Sequence, residues 1–165
     1  MAGPLGGATV TPRPDRSMLP YRTLQILHDY WTALPKTDGV ADVMKVDPAA
    51  IMPALGYVAL LDVIDDGRDY YYSLYGSKIA NVSGFDMTHK HLGEIPTTAD
   101  VRLFFRAGYL AVVRHHVPLY AVHLAPEHIT IGWWHRLILP IGEAGEVKRL
   151  LVGIIPVRND DARSG

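Results

Sequence analysis

The stretches LYAVHLA (residues 119–125), GWWHRLILPI (132–141) and VKRLLVGIIPV (147–157) decide the fold of this chain. Each is rich in the apolar and aromatic side chains typical of strands, and turn residues separate them at 126–127 and 142–145. Short turns of this kind join neighbouring strands in antiparallel order. Several of these strands carry apolar residues at both alternating positions. Both faces of the sheet are therefore expected to be covered, one by the central helices and the other by the N-terminal helix or by a partner.

A second strand pair lies earlier in the chain. Residues 57–64 and 70–75 are rich in strand formers, and the sequence DDGR at 65–68 predicts a hairpin turn between them. Helices are predicted between the two strand groups, a short one at 77–81 and a long one at about 97–116, with Thr97 or Thr98 as the cap at the start of the long one. This order predicts an α+β fold with a five-stranded antiparallel sheet and helices on one face.

Ahead of the sheet, residues 21–34 have the spacing of an amphipathic helix. Leu24, Leu27 and Trp31 recur at intervals of three and four residues, which places them on one apolar stripe. We expect this stripe, together with Trp134, to contact a second copy of the chain or another protein.

Length and charge set the broad class of protein. The 165 residues are enough for one domain, and we expect a disordered leader over 1–20, a folded core over 21–158 and a short polar tail over 159–165. The net charge is −1, which favours neither nucleic acid nor an anionic membrane surface as a partner. Because no apolar run is long enough to span a membrane and no signal-peptide pattern occurs, we expect a cytoplasmic protein.

Catalytic and cofactor signals are sparse. The chain has no cysteine, which excludes disulfides, thiolate metal sites and cysteine nucleophiles. No Ser-His-Asp spacing, phosphate-binding glycine-rich loop or paired-carboxylate motif is evident. We therefore expect no catalytic residues and no cofactor.

Histidine is the one enriched residue type, with eight in the chain. Two of them, His89 and His91, form a pair, and a further five fall within 21 residues: His115, His116, His123, His128 and His135. Their spacing matches no metal-binding motif, so no metal site is predicted. His123 and His135 lie on neighbouring predicted strands and could face each other. A pH-responsive cluster and half-exposed strand residues are the two interpretations left open.

Several local motifs point to a known family. They are LHDYW (27–31), VDPAAI (46–51), YSLYGS (72–77), GFDMT (84–88) and HRLILPI (135–141). On these motifs the chain resembles a stand-alone bacterial PAS-like domain family of the alphaproteobacterial type, over about residues 24–157. It departs from the family at Ser73, where arginine is more common, and at His89, where glycine is common.

The resemblance implies a PAS fold, with a small-molecule pocket between the sheet and the central helices and with dimerisation through the N-terminal helix. It implies a non-catalytic sensory or interaction domain that binds a small apolar or amphipathic ligand. Such a domain would act as a homodimer or through a separate signalling protein. The side chains expected to line the pocket are Leu61, Tyr72, Leu74, Ile79, Val82, Phe85, Phe104 and His135.

Two other functions fit the same pattern of elements. One is an enzyme or carrier with a cone-shaped α+β fold of the cyclase or isomerase type, which normally has a buried acid–base pair in a deep apolar pocket. No such pair is visible in the sequence. The other is a pure partner-binding module, in which the helix at 21–34 and the strand containing Trp133 and Trp134 dock onto a second protein.

Overall fold

One long hairpin forms the centre of the structure, a computed structural model that describes residues 8–125 and 131–158. Strands β7 (Ile131–Glu143) and β8 (Glu146–Arg158) pair in antiparallel register along nearly their whole length. The two turn residues between them, Ala144 and Gly145, have φ angles of 54° and 78°. Positive φ at both positions is the turn geometry that matches the twist of paired strands. The strands predicted at the end of the chain are thus confirmed.

Three further strands extend the hairpin into a sheet. They are β4 (Val58–Ile64), β5 (Asp69–Tyr75) and β6 (Leu119–Leu124). The order across the sheet is β6-β7-β8-β4-β5, and every neighbouring pair is antiparallel. This confirms the predicted α+β fold with a five-stranded antiparallel sheet.

Short strands enlarge the sheet beyond the prediction. β1 (Thr9–Pro12) pairs antiparallel with the outer edge of β6. β2 (Lys36–Thr37) pairs with β3 (Val40–Asp42), and β3 runs parallel to the end of β7. These strands are too short to show a period in the sequence, and they form because a neighbouring strand edge is available to them.

The N-terminal segment differs from the disordered leader expected over 1–20. Residues 9–12 form β1, and Leu19 is fully buried against the sheet. Residues 9–20 therefore belong to the folded domain, because β6 supplies hydrogen-bond partners and the sheet supplies an apolar surface. Residues 1–7 and the predicted tail at 159–165 lie outside the described residues.

Within the described residues, three α-helices accompany the sheet: α1 (Arg22–Ala33), α2 (Ser77–Ser83) and α3 (Ala99–His115). The Thr98 hydroxyl accepts a hydrogen bond from the Val101 backbone N–H, so it caps the start of α3 as predicted. Short 3-10 segments lie at Arg16–Met18, Pro48–Tyr57, Asp65–Gly67 and Leu92–Glu94. No helix in the described part of the chain is long and apolar enough to cross a membrane.

The helices cover both faces of the sheet and create two apolar cores. On β7, Ile138 lies in the core beneath α3, whereas Leu137 and Leu139 lie in the core beneath α1. Successive side chains of a strand point to opposite faces, so β7 contributes alternately to the two cores. The expectation that both sheet faces are covered is therefore confirmed.

The apolar stripe of α1 packs against the chain's own sheet. Leu24 and Leu27 are fully buried, and both approach Gly153 on β8 so closely that a Cβ there would lie 2.7 and 2.6 Å from their methyl groups. The Trp31 indole N–H donates to the Pro140 carbonyl at 2.9 Å. Leu24, Leu27 and Trp31, predicted as contacts to a partner, are instead buried within the chain, where they share one apolar core with Ile51 and Ala54 of the 3-10 segment Pro48–Tyr57.

We predict that Leu27→Ala lowers the free energy of unfolding by about 2–5 kcal/mol, because it removes a buried side chain and leaves a cavity between α1 and β8. Chemical denaturation followed by circular dichroism measures this loss. Met52→Ala is the matched control, since Met52 is 61% exposed and its loss should change stability by less than about 0.5 kcal/mol. Equal effects of the two substitutions would contradict the packing of α1.

Candidate functional site

A cavity of about 250 Å³ lies on the α3 face of the sheet. Its floor is made by side chains from four strands: Tyr75 from β5, His123 from β6, Trp134 and Arg136 from β7, and Ile154 from β8. The cavity is therefore built on the rigid part of the fold, where paired strands hold each side chain in a fixed register.

The opposite wall of the cavity comes from α2, from the start of α3 and from the segment between them. Val101 and Phe105 lie four residues apart on α3, which places them on the same helix face. Thr98 caps the start of α3, and the helix face that carries Val101 and Phe105 packs toward the sheet. The wall residues are Ser83, Phe85, Ile95, Pro96, Thr97, Val101 and Phe105.

Aromatic rings make much of the cavity lining apolar. Tyr75 and Phe85 stack with ring centroids 6.2 Å apart, and Phe105 and Trp134 supply two further rings. A concave, mostly apolar surface with a few convergent polar groups is the usual form of a small-molecule site. The polar groups that matter most here are Arg136 and His123.

Arg136 places a charged side chain inside the core. Only 5% of its surface is exposed, and its guanidinium lies 3.9 Å from the centroid of the Phe105 ring. Its Nη1 donates a hydrogen bond to the Tyr109 hydroxyl. Among the described residues, its Nε has no hydrogen-bond partner and no ion pair includes Arg136. An arginine keeps its positive charge in proteins, so this charge is buried without a described counter-ion.

His123 lies in the same cavity and is 2% exposed. Its ring contacts Phe104 and Phe105, with centroids 5.5 and 5.2 Å away, and its Nδ1 has no partner among the described residues. Burial, and to a lesser degree the charge of Arg136, lowers the pKa of His123 from 6.5 to about 3. The imidazole is therefore neutral at physiological pH and keeps one N–H to donate.

The tyrosines beneath Arg136 do not neutralise it. Burial raises the pKa of Tyr70 to about 12 and raises the pKa of Tyr72 well above its usual value, so both are neutral phenols. The hydroxyls of Tyr70 and Tyr72 have no hydrogen-bond partner within the described residues. The described residues around Arg136 thus offer it aromatic faces and one hydroxyl acceptor, Tyr109, but no anion.

Six of the eight residues predicted to line a pocket fall into three groups. Phe85 lines the cavity. Phe104 packs against the core beneath α3, and Val82 is half-buried in α2. Deeper in the core beneath α3, the buried side chains are Leu61, Tyr72 and Ile79.

Leu74 and His135 lie on the opposite side of the sheet from the cavity. Leu74 packs against the core beneath α1, and His135 contacts Tyr21 and Tyr120. The Tyr120 hydroxyl and the His135 Nδ1 are 2.5 Å apart, and burial lowers the pKa of His135 to about 4. Leu74 departs from the face of Tyr72 because the pairing of β4 with β5 shifts register between them, with Leu60 opposite Leu74 and Leu61 opposite Tyr72. His135 differs from the expected face by a single strand position, which reverses a side chain's direction.

Trp134, predicted as a partner contact, lies in the cavity instead. The pairing of β6 with β7 explains why: His123 is opposite Trp134, and His135 is opposite Val122. His123 and His135 therefore point to opposite faces and do not face each other, as the sequence had suggested.

The other histidines do not gather into one site. His91 Nδ1 lies 2.7 Å from an Asp69 carboxylate oxygen, and His89 Nδ1 lies 2.9 Å from the Tyr71 hydroxyl. His116 lies at the end of α3, and His128 lies outside the described residues. No group of three metal-ligating side chains occurs among the residues that the structure describes.

Arg136 is the site residue that sequence reasoning missed. The signal was present in the stretch WWHRLILPI, where a single arginine interrupts a strand of apolar side chains on both faces. Such a residue is either at a strand edge or buried in a site, and only the position of β7 between β6 and β8 distinguishes the two.

We predict that the stability of the protein falls between about pH 6.5 and pH 3 partly through His123. In the folded state the pKa of His123 is about 3, whereas in the unfolded chain it is about 6.5. Between these values the unfolded chain binds more protons than the folded protein. A fall in pH therefore favours unfolding. At about pH 5 this one residue lowers the free energy of unfolding by about 2 kcal/mol relative to neutral pH. Denaturant titrations at about pH 7.5 and 5 should show a smaller loss in His123→Gln than in the parent protein.

His115→Gln is the matched control, because His115 is exposed at the end of α3. If His123→Gln and the parent protein lose the same free energy on acidification, the buried neutral state of His123 is contradicted.

Comparison with known proteins assigns the family. A family model described as PAS domain matches residues 19–155. No curated protein and no solved structure matches the chain. The matched range contains the five-stranded antiparallel sheet through most of β8, all three α-helices and every residue of the cavity described above. The chain belongs to the PAS domain family.

Proposed function

We propose that this PAS domain is a non-catalytic sensory module that binds a small apolar or amphipathic molecule in the cavity between the sheet and α3. The observation that carries the proposal is the cavity itself, which brings Phe85, Phe105 and Trp134 together with the buried polar side chains of His123 and Arg136. PAS domains are in general sensory or interaction domains, and a ligand pocket on this face of the sheet is consistent with that role.

The size of the cavity supports a small ligand. A dry apolar cavity of roughly 150 Å³ is enough to hold benzene. At about 250 Å³, the cavity has room for a ring with one additional substituent. The exposed Pro96 and the half-buried Thr97 lie at its rim and mark a route from solvent.

The chemistry of the lining favours binding over the cyclase or isomerase alternative. Acid–base catalysis in such a pocket would use a buried pair of titratable groups with shifted pKa values. The described lining residues include His123 and Arg136 but no aspartate or glutamate. The alternative therefore has no observation in its favour here.

Transmission of a signal requires a partner, and we propose a second copy of this chain or a separate signalling protein. Leu24, Leu27 and Trp31 are buried against the sheet, so the contact with a partner must use a different surface. Light scattering on the full chain tests the homodimer, for which the mass should be twice 18.2 kDa. A monomer mass at all concentrations would exclude the homodimer and leave a separate signalling protein as the proposed partner.

The decisive experiment fills the cavity. We predict that Val101→Phe abolishes binding of small molecules, because the added ring occupies the space between α3 and the sheet. Native mass spectrometry of the protein purified from its source cells should detect a bound small molecule in the parent protein and none in the variant.

Leu103→Phe is the matched control for this experiment. It introduces the same ring on the same helix, but Leu103 is 64% exposed and does not line the cavity. Circular dichroism verifies that both variants fold. A parent protein that carries no small molecule, or a Val101→Phe variant that keeps one, would contradict the proposed function.

A further inference from the structure

We propose that the ligand of the cavity is a small apolar acid whose single carboxylate pairs with Arg136, while its body lies against Phe85, Phe105 and Trp134. This inference rests on the ligand-binding function proposed above and adds the chemical class of the ligand. Its basis is two polar atoms buried at this cavity, Arg136 Nε and His123 Nδ1, which have no hydrogen-bond partner among the described residues.

The first observation is the unpaired charge. Arg136 is almost completely buried. Within the part of the chain that the structure describes, its Nε has no partner and its one hydrogen bond is to the neutral Tyr109 hydroxyl. A buried charge without a counter-ion is strongly unfavourable, and proteins normally pair it. The faces of Phe105 and Tyr109, 3.9 and 5.9 Å from the guanidinium carbon, offset only part of this cost.

The second observation is independent of the first. His123 lines the same cavity, is almost completely buried, and its Nδ1 also lacks a partner among the described residues. A neutral imidazole can donate one N–H to an acceptor. Two unsatisfied buried groups in one cavity, a guanidinium and an imidazole, point to an occupant with hydrogen-bond acceptors and a negative charge.

The balance of charge and space sets the class of the ligand. One guanidinium and one neutral imidazole are matched by a single negative charge, which fits a monocarboxylate better than a doubly charged phosphate. The planar guanidinium presents N–H groups at the spacing of the two carboxylate oxygens. The surrounding rings and the volume of about 250 Å³ limit the rest of the molecule to a compact apolar body.

The test compares acids with uncharged molecules of the same shape. The probes are benzoate and phenylacetate, each paired with its amide, and binding to the full chain is measured by NMR titration and calorimetry. We expect the parent protein to bind each acid at least about tenfold more tightly than the amide, because a charge-assisted contact is lost in the amide. Arg136→Met should remove this preference, and Arg136→Lys should keep a weaker one.

Arg106→Met is the matched control, since Arg106 lies on α3 outside the cavity and donates to the Arg68 carbonyl. It should retain the preference for acids. If Arg136→Met fails to fold, Arg136→Lys carries the test, because it keeps the charge but loses the planar fork. Equal binding of acid and amide by the parent protein, no binding of either acid, or an unchanged preference in Arg136→Met would overturn the inference.

Failure of the inference is separable from failure of the proposed function. Amides that bind as tightly as the acids would overturn the inference but would leave the cavity a ligand-binding site. A native mass spectrum without a bound small molecule would contradict the proposed function itself.

Discussion

The antiparallel register of β7 and β8 is the constraint on which the rest of this structure depends. Both strands are packed on both faces. A shift of their register by one residue would move every side chain of the shifted strand from one core to the other. Close contacts hold the register. A Cβ at Gly142 would meet the Glu146 carbonyl oxygen at 1.9 Å, and a Cβ at Gly153 would meet the α1 leucines. The turn at Ala144 and Gly145 then sets the strands in the twist that the sheet continues.

The same register positions the candidate site. It directs Trp134 and Arg136 toward α3 and directs His135 toward α1. Paired strands are stiff, so Arg136 is held beneath Phe105 by the backbone of its neighbours and not by a flexible loop. A buried charge at this point costs stability, and the apolar side chains buried in the two cores offset that cost. Sites of this kind commonly sacrifice local stability for binding.

Much of the architecture was accessible from the sequence. The apolar stripe of residues 21–34 corresponds to α1, Thr98 caps α3, and the five main strands fall where their composition placed them. Local propensity and apolar spacing were sufficient for these elements because each buries a large surface. β1 was not predictable in this way, since the sequence TVTP lies in a segment rich in proline and glycine and becomes a strand only through the edge of β6.

The site was less accessible, for a physical reason that Leu74, His123 and His135 illustrate. In strands with apolar residues at both alternating positions, composition does not distinguish one face from the other. The sequence alone established an α+β domain without cysteine chemistry, with an N-terminal amphipathic helix and a sheet covered on both faces. The tertiary structure decided that α1 is used within the chain, that Trp134 and Arg136 share a cavity, and that the histidines are separated. Strand register and the choice of covering helix are interactions between distant segments, and no local pattern contains them.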